Sequence, residues 1–527
     1  MTTAVATPSP RKRTAKHTNT DALPDAAATK TWFGLADLIF LVFSLGVLQR
    51  ARGSMLDDPG LGWHLRNIDA MLAHGGWLTH DPFTVPLADW PWRTNVWLGD
   101  LWLWLGWHWG GLEGIAVFTT LVIALTCRWM FGMMIRDGVA WPAAALWTFL
   151  GGLATSISWT ARPNMFSVPL LMVTAWMCDR YHRGKCSRRE TLWLLPLLVL
   201  WANLHGGFPA GIVTIGIALA VELALSIGIP HAKNRAGAWR RAKHFAALLA
   251  GGVAATCVNP YGWTMYPWIF RLLGNDYFMN NNVEWHSPDF HALGAMRFEL
   301  LILVLPLVIA LSRRRPSLTA LAISLAWLHA ALSGQRYIAL WVVATVPLVA
   351  RMSMHIPWFA DAAARWRLSA DVKSMLTATP RPSRWLTTAV IALALVGWSR
   401  MSTGFASISE QRIPTRALDD LVSRAEGKVV FHHYNWGGYI TWRGWPKVRN
   451  WIDDRNEVHG REHIEEYSSI IDARGPWRET LDRYGVALVC IPPFKPLADR
   501  LAEDKDWREV YRDEFAVTFE RIPRTDL

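Results

Sequence analysis

The chain has 527 residues, 52% of them hydrophobic and 33 of them Trp, with 54 Lys and Arg against 42 Asp and Glu. With a formal charge of +12 and a pI near 9.7, the mean hydropathy is still +0.14, which requires long uncharged blocks and points to membrane spans. The basic excess then reads as a positive-inside bias in the loops, so no nucleic-acid partner is expected. The five cysteines contain no C-x-x-C pair, which indicates neither a disulfide framework nor a zinc site.

Residues 1–30 are rich in Ala, Thr and Pro and carry Arg11, Lys12, Arg13 and Lys16; they read as a disordered basic cytoplasmic tail. The apolar run 31–48 lacks a small-residue cleavage site and reads as an uncleaved first span, with an unusual Asp37 inside it. A large first outer loop follows at 50–111. Leu61, Leu65, Ile68 and Leu72 repeat at helical spacing, with His64, Asn67 and Met71 on another face, which predicts an amphipathic helix in the membrane interface. Pro59 is expected at the first helical position, with Asp58 as N-cap. The other reading of Asp58 is chemical: a general base for an acceptor hydroxyl, or a ligand for a divalent cation beside a phosphate leaving group. Residues 97–109 are apolar and Trp-rich, too short to span a bilayer but suited to its surface.

Further spans are predicted at about 112–134, 139–159, 165–178, 190–203, 208–228, 244–258, 298–312, 317–332, 336–350 and 385–399, for a total of about eleven. Basic residues collect in alternate loops. Arg180, Arg183, Lys185, Arg188 and Arg189 form one group, and Lys233, Arg235, Arg240, Arg241 and Lys243 a second. Arg313, Arg314 and Arg315 form a third, followed by Arg351, Arg365, Arg367, Lys373, Arg381 and Arg384. With eleven spans all of these share the side of the N-terminal tail, and the C-terminal region 403–527 lies outside the cytoplasm.

That region reads as a soluble α/β domain. Strands are expected at 428–434, 440–446 and 487–493 and in FAVTFERI, and helices in REHIEEYSSIIDA and in GPWRETLDRYG, the last stopped by Gly485. The Gly437-Gly438 pair reads as a turn.

The topology places Asp57, Asp58, His64, Arg66, His80, Asp81, Arg93, Arg162, Asn164, His205, Asn259, Glu284, Asp289, Gln335 and Arg336 in outward loops. Arg162 and Arg336 oppose the positive-inside tendency and call for a partner: a phosphate, a neighbouring carboxylate, or the interface reached by snorkelling. WANLHGGF (201–208) and NPYGWTMYPW (259–268) break apolar runs, and such backbone is expected to line an outward cavity. His205 is then a site residue or a structural one. Glu284 and Asp289 add two carboxylates, Asp289 reading as a solvated loop charge.

An aspartate just after the first span, an amphipathic helix ending in Gly, a DPF turn and a Trp-rich interfacial helix together resemble the first outer loop of the C-type (GT-C) membrane glycosyltransferases. The resemblance is to the branch with dolichyl-phosphate-mannose mannosyltransferase-like and lipid A aminoarabinose transferase-like proteins. A bacterial subgroup of it is similar in DP-x-x-x-WH-L (58–65), DPF (81–83), ARP (161–163), WANLHGGF, NPYG (259–262), EW-x-SPDF (284–290) and Y-x-WGGY (434–439). The resemblance implies an α-helical polytopic protein of the bacterial inner membrane with a transmembrane GT-C-like domain at 31–402 and an extracytoplasmic α/β domain at 403–527. It also implies a polyprenyl-phosphate sugar donor and a glycan, lipid or protein acceptor. Asp58, with Asp57 as runner-up, takes the place of the catalytic base or metal ligand, and a divalent cation is the only cofactor suggested. His64, Arg66, His80, Asp81, Arg162, His205, Glu284 and Arg336 form the expected substrate-binding set, Arg162 and Arg336 assigned to the donor phosphate from charge and placement. Two other classes share these features. A transporter or flippase of a lipid-linked intermediate needs the same cavity, but no internal repeat is found. A non-catalytic scaffold in envelope polysaccharide assembly would use Asp58 only as a cap.

Overall fold

In the computed structural model each predicted apolar block contains a helix: Leu35–Leu48, Trp97–Arg136, Trp141–Ala154, Ser167–His182, Leu194–Leu204, Pro209–Ser226, Arg235–Thr256, Leu293–Leu311, Leu318–Ser333, Ile338–Ser353 and Trp385–Met401. The structure describes residues 33–86, 90–229, 234–274, 276–357 and 385–523. The tail, the start of the first predicted span, Lys233, Arg365, Arg367, Lys373, Arg381 and Arg384 lie outside the described residues. Among the described helices, four are long and apolar enough to cross a membrane: Trp97–Arg136, Pro209–Ser226, Gly294–Leu311 and Gln335–Ser353.

The first of these is two helices. Gly110 and Gly111 leave helical geometry, Gly111 at φ 63°, a conformation glycine reaches without a Cβ clash. The chain reverses there. The Trp102 ring lies 4.8 Å from that of Phe118, tilted by 50°, and donates from Nε1 to the Phe118 carbonyl at 3.1 Å, and a Cβ on Gly114 would overlap the carbonyl of Gly106. The Trp-rich stretch 97–109 is thus a separate arm folded back on the span that follows it.

Charged groups buried in the bundle are paired, as the low-dielectric interior requires. Asp37 accepts from the Thr388 hydroxyl at 2.5 Å and lies 3.8 Å from Arg128 Nη2, so this unusual residue ties the first helix to Trp97–Arg136 and Trp385–Met401. At one end of the bundle Asp137 holds Arg180, Arg183 and Arg351 at 2.5, 2.8 and 3.0 Å. Basic residues expected on one face from two different loops therefore meet around one carboxylate.

The C-terminal domain has a four-stranded sheet: β1 (Val429–His432), β2 (Val486–Ile491), β3 (Trp507–Arg512) and β4 (Val517–Arg521), in the order β1-β2-β4-β3. β1 runs parallel to β2, and β4 is antiparallel to both its neighbours. Phe431, Val489 and Phe519 carry one face into a core with Trp451, Ile470, Leu481 and Leu497. The stretch expected as a strand at 440–446 is instead part of the helix Gly437–Gly444. The Gly437-Gly438 pair is not a loop turn but the start of that helix. A Cβ on Gly438 would overlap the Pro59 carbonyl, and one on Gly437 the carbonyl of Ile452. Close backbone approach is what requires glycine here.

This approach seats the domain on the first outer loop and changes the reading of the loop's helix, Leu61–His74. Its N-cap is Gly60, so Pro59 precedes the helix and Asp58 is not its cap; Asp58 Oδ1 accepts the Gly60 N–H at 2.9 Å. His64 and Asn67 are as buried as Leu61, Leu65 and Ile68, whereas Leu72 is 67% exposed. The helix is packed between bundle and domain, with only its last turn reaching out. Gly75, at φ 73°, ends it.

Arg455 fastens the two parts. Its guanidinium meets Asp81 and Asp453 at 2.7 Å each and Thr84 Oγ1 at 3.1 Å, all fully buried, and lies 4.8 Å from the Trp92 ring centre. The Asn450 N–H donates to Phe83 O at 3.0 Å, and the Val85 N–H donates to Asn450 O at 2.9 Å.

Candidate active site

Two cavities meet between the bundle and the C-terminal domain. One, of about 500 Å³, has polar and aromatic walls that include Asp58, Tyr277, Tyr434, Asn435 and Asn456. The other, of about 440 Å³, reaches into the bundle, where Val168, Val213, Ile269, Trp327 and Leu340 line it together with His64, Asn164, His205 and Arg336. Arg162, Asn282, Glu284 and Asp454 line both.

At the junction three carboxylates converge on Arg162. Glu284 Oε1 lies 2.9 Å from its Nη1, Asp58 Oδ2 3.7 Å from the same nitrogen, and Asp454 Oδ2 3.6 Å from Nη2. Arg162 is extended at φ −142°, ψ 144°, as the residue before a proline prefers, which turns its side chain away from the short 3₁₀ helix Pro163–Phe166. Asp454 comes from the C-terminal domain. Its loop is held by the Trp451 N–H donating to His432 Nε2 at 2.9 Å and by the Asp453–Arg455 pair, and Trp63 Nε1 donates to Asp454 Oδ1 at 2.7 Å.

The electrostatics separate adjacent carboxyls. Burial and the neighbouring charges of Asp58 and Asp453 push Asp454 up to about 6, against the pull of Arg162. Burial opposes ionisation of Asp453 too, but Arg455 and His459 outweigh it and hold the group well below the usual carboxylate range. Arg162 holds Glu284 low, burial opposing and Arg336 assisting.

In the bundle-side cavity His205 Nδ1 accepts the Gly207 N–H at 3.0 Å and lies 2.7 Å from Ser167 Oγ. That hydroxyl already accepts from Trp201 Nε1 at 2.8 Å, so its own proton goes to Nδ1. The ring proton of His205 therefore sits on Nε2. His64 is oriented by Asp100, 2.6 Å from Nδ1, which also accepts from Asn67; His64 Nε2 is buried and has no hydrogen-bond partner among the described residues. Arg336 lies 4.3 Å from the ring centre of Trp285, and among the described residues no carboxylate forms an ion pair with it. Gln335 anchors its loop by donating from Nε2 to Val283 O at 2.6 Å.

The sequence matches no family model and no curated protein. Among solved structures, ArnT from Cupriavidus metallidurans in the apo state is similar over 92% of this chain and 97% of its own, with 14% identity and a TM-score of 0.53. The archaeal oligosaccharyltransferase AglB from Archaeoglobus fulgidus, in complex with an inhibitory peptide and a dolichol-phosphate, is similar over 87% of this chain and 69% of its own, with 12% identity and a TM-score of 0.56. Both are GT-C superfamily proteins. This chain has the GT-C fold.

Within its GT-C fold the expected site residues divide in two. Asp58, His64, Arg162, His205, Glu284 and Arg336 line the joined cavities. Asp57 instead accepts the Ser409 N–H at 2.8 Å, and Arg66 pairs with Asp69 at 2.7 Å and donates to the Trp442 carbonyl. Asp81 is used up by Arg455 and by the N–H groups of Phe83 and Thr84. His80 is exposed beside Thr79, and Asp289 accepts a local N–H from His291. Asp454, Asn456, Tyr434 and Asp100 were missed. The visible signal for the first two was the run Asp453-Asp454-Arg455-Asn456 directly after the apolar Trp451-Ile452.

A divalent cation finds no fitting ligand set: among the described residues no three His, Cys, Asp or Glu side chains converge as metal ligands do, and the junction carboxylates face a guanidinium.

Proposed function

We propose that this GT-C protein is a membrane glycosyltransferase that moves a sugar from a polyprenyl-phosphate donor to a glycan, lipid or protein acceptor on the outer face of the bacterial inner membrane. Its N-terminus is then cytoplasmic and its C-terminal domain periplasmic. The observation that carries the reading is the carboxylate junction on Arg162, set where an apolar-walled cavity meets a polar one. AglB, whose fold is similar, was solved with a dolichol-phosphate, the same chemical class as the donor proposed. The apolar walls suit the first prenyl units, and Arg336 and the Nε2–H of His205 suit the phosphate. Asp58 takes the acceptor hydroxyl's proton as that oxygen bonds to the sugar's anomeric carbon. The bond from that carbon to the phosphate oxygen breaks, and its electron pair leaves with the lipid phosphate, whose charge Arg336 meets.

The test is transfer of label from radiolabelled polyprenyl-phosphate sugars by the full chain in nanodiscs, into added glycan, lipid or peptide. No transfer from any donor would overturn the reading in favour of transport or scaffolding. Arg336→Met is expected to raise the KM for the donor about tenfold or more, the value of a charge-assisted phosphate contact, with a smaller change in kcat. An unchanged KM would remove Arg336 from donor binding.

Asp454 makes the activity pH-dependent. Below about 6 it is protonated, and the negative charge that it sets beside Asp58 and against Arg162 is lost. Transfer is therefore expected to fall as pH drops through about 6, and Asp454→Asn should be slow throughout, without that inflection. The stability effect has the opposite sense. A carboxyl raised in the folded state adds stability at pH below its ordinary value and loses that contribution as pH rises through about 6. Asp454→Asn should thus melt no lower than wild type at pH 7.5, and a markedly lower melting temperature would make Asp454 structural.

A further inference from the structure

The two cavities differ in what their walls can bind. The bundle-side cavity has apolar side chains along one flank; the other is walled by Tyr277 and Asn282 from the bundle side and by Tyr434, Asn435 and Asn456 from the C-terminal domain. Several of these groups are fixed in place. The Tyr434 hydroxyl donates to Asn456 Oδ1 at 2.8 Å, and the Tyr434 N–H donates to the Tyr467 hydroxyl at 2.8 Å. Asn282 Oδ1 accepts the Glu284 N–H at 3.0 Å, which directs its amide NH₂ elsewhere, and the side chain of Asn435 is exposed.

The charge around this cavity is one-sided. Asp58, Glu284 and Asp454 outnumber the Arg162 guanidinium they surround, and the Arg461 guanidinium over the Tyr277 ring is paired with Glu465. An anionic ligand, such as a phosphorylated lipid headgroup or a uronate, would meet net negative charge. Tyrosine rings and amide side chains are the complement of a sugar ring, whose C–H face packs on aromatics while its hydroxyls take hydrogen bonds.

We propose that this cleft, closed only when the C-terminal domain is in place, binds a neutral carbohydrate and presents its hydroxyl to Asp58. The cleft is then the acceptor subsite, and the acceptor is a neutral glycan. The word acceptor rests on the transferase reading; carbohydrate binding does not.

Binding alone tests it. The full chain in nanodiscs is titrated with chitobiose, mannobiose, a glucuronate-containing disaccharide and an acetylated tripeptide amide, followed by Trp fluorescence and saturation-transfer NMR. At least one neutral disaccharide is expected to bind saturably, with the uronate and the peptide failing to compete. Tyr277→Ala and Asn435→Ala should each weaken that binding about tenfold, the worth of one ring contact or one hydrogen-bonding side chain, while Tyr277→Phe, which keeps the ring, binds nearly as wild type and Arg500→Ala, exposed outside the cleft, is unchanged. No saturable binding of a neutral disaccharide up to tens of millimolar overturns the proposal. Binding unaffected by either alanine variant, or displaced by the peptide, also overturns it. The outcomes separate the two readings: saccharide binding without transfer leaves the cleft standing and removes the transferase, whereas transfer without saccharide binding does the reverse.

Discussion

Asp58→Asn is expected to lower the transfer rate about a thousandfold, near 4 kcal/mol of barrier, which lies within the range for loss of a positioned general base. The substitution is chosen because its structural cost is small. Asparagine has nearly the same shape, and its Oδ1 still accepts the Gly60 N–H that Asp58 Oδ1 accepts at 2.9 Å. Asp58 does not cap the helix Leu61–His74, so no cap is lost. The charge it loses is one of three on Arg162, and Glu284 at 2.9 Å remains as that residue's nearest anion. Folding, donor KM and saccharide binding should therefore change little while kcat falls. The comparison is a transfer time course at matched protein in nanodiscs, with donor binding measured in parallel. Equal rates for variant and wild type would remove Asp58 from the chemistry, and a fall in donor binding as large as the fall in rate would make it a positioning residue.

The second large effect is on assembly. Asp81→Ala leaves Arg455 buried beside Asp453 with one of its two carboxylates gone, and it also deprives the Phe83 and Thr84 N–H groups of their acceptor. Removing one member of a buried pair costs about 3–5 kcal/mol, because a desolvated charge is left uncompensated. The expected result is a lower melting temperature and protease cleavage between the bundle and the C-terminal domain. The double variant Asp81→Ala with Arg455→Met should lose less than the sum of the two single changes, since removing both charges removes the uncompensated one. Melting and cleavage unchanged in Asp81→Ala would mean that the close approach of Gly438 to the Pro59 carbonyl holds the domain without the ion pair. Because Asp454 enters the site on the loop that Arg455 anchors, the same variant should also slow transfer.

Much of the helical part was legible because it depends on local composition. Apolar blocks and their breaks at WANLHGGF and NPYG appear as helices and helix ends, and Arg180, Arg183 and Arg351 from two basic loops share Asp137. The errors fall where one segment covers another. The helix Leu61–His74 looked half-polar, hence interfacial, but its polar face is buried against Asp100 and Thr94, partners 36 and 27 residues away. Strand-like ITWRGWP begins inside the helix Gly437–Gly444, whose first two glycines approach the backbones of Ile452 and Pro59.

By itself, then, the sequence determined which segments are apolar enough to form the bundle and a set of polar loop residues containing Asp58, Arg162, His205, Glu284 and Arg336. Those properties follow from side-chain chemistry and spacing, which act over a few turns of helix. Only the tertiary structure decided which of these polar residues share a cavity. It sent Asp81 to Arg455 and Asp57 to Ser409, and it brought Asp454 to Arg162 from nearly 300 residues away. Pairings at that separation are set by how the domain's glycines and buried arginine dock on the first loop, and no local pattern encodes them.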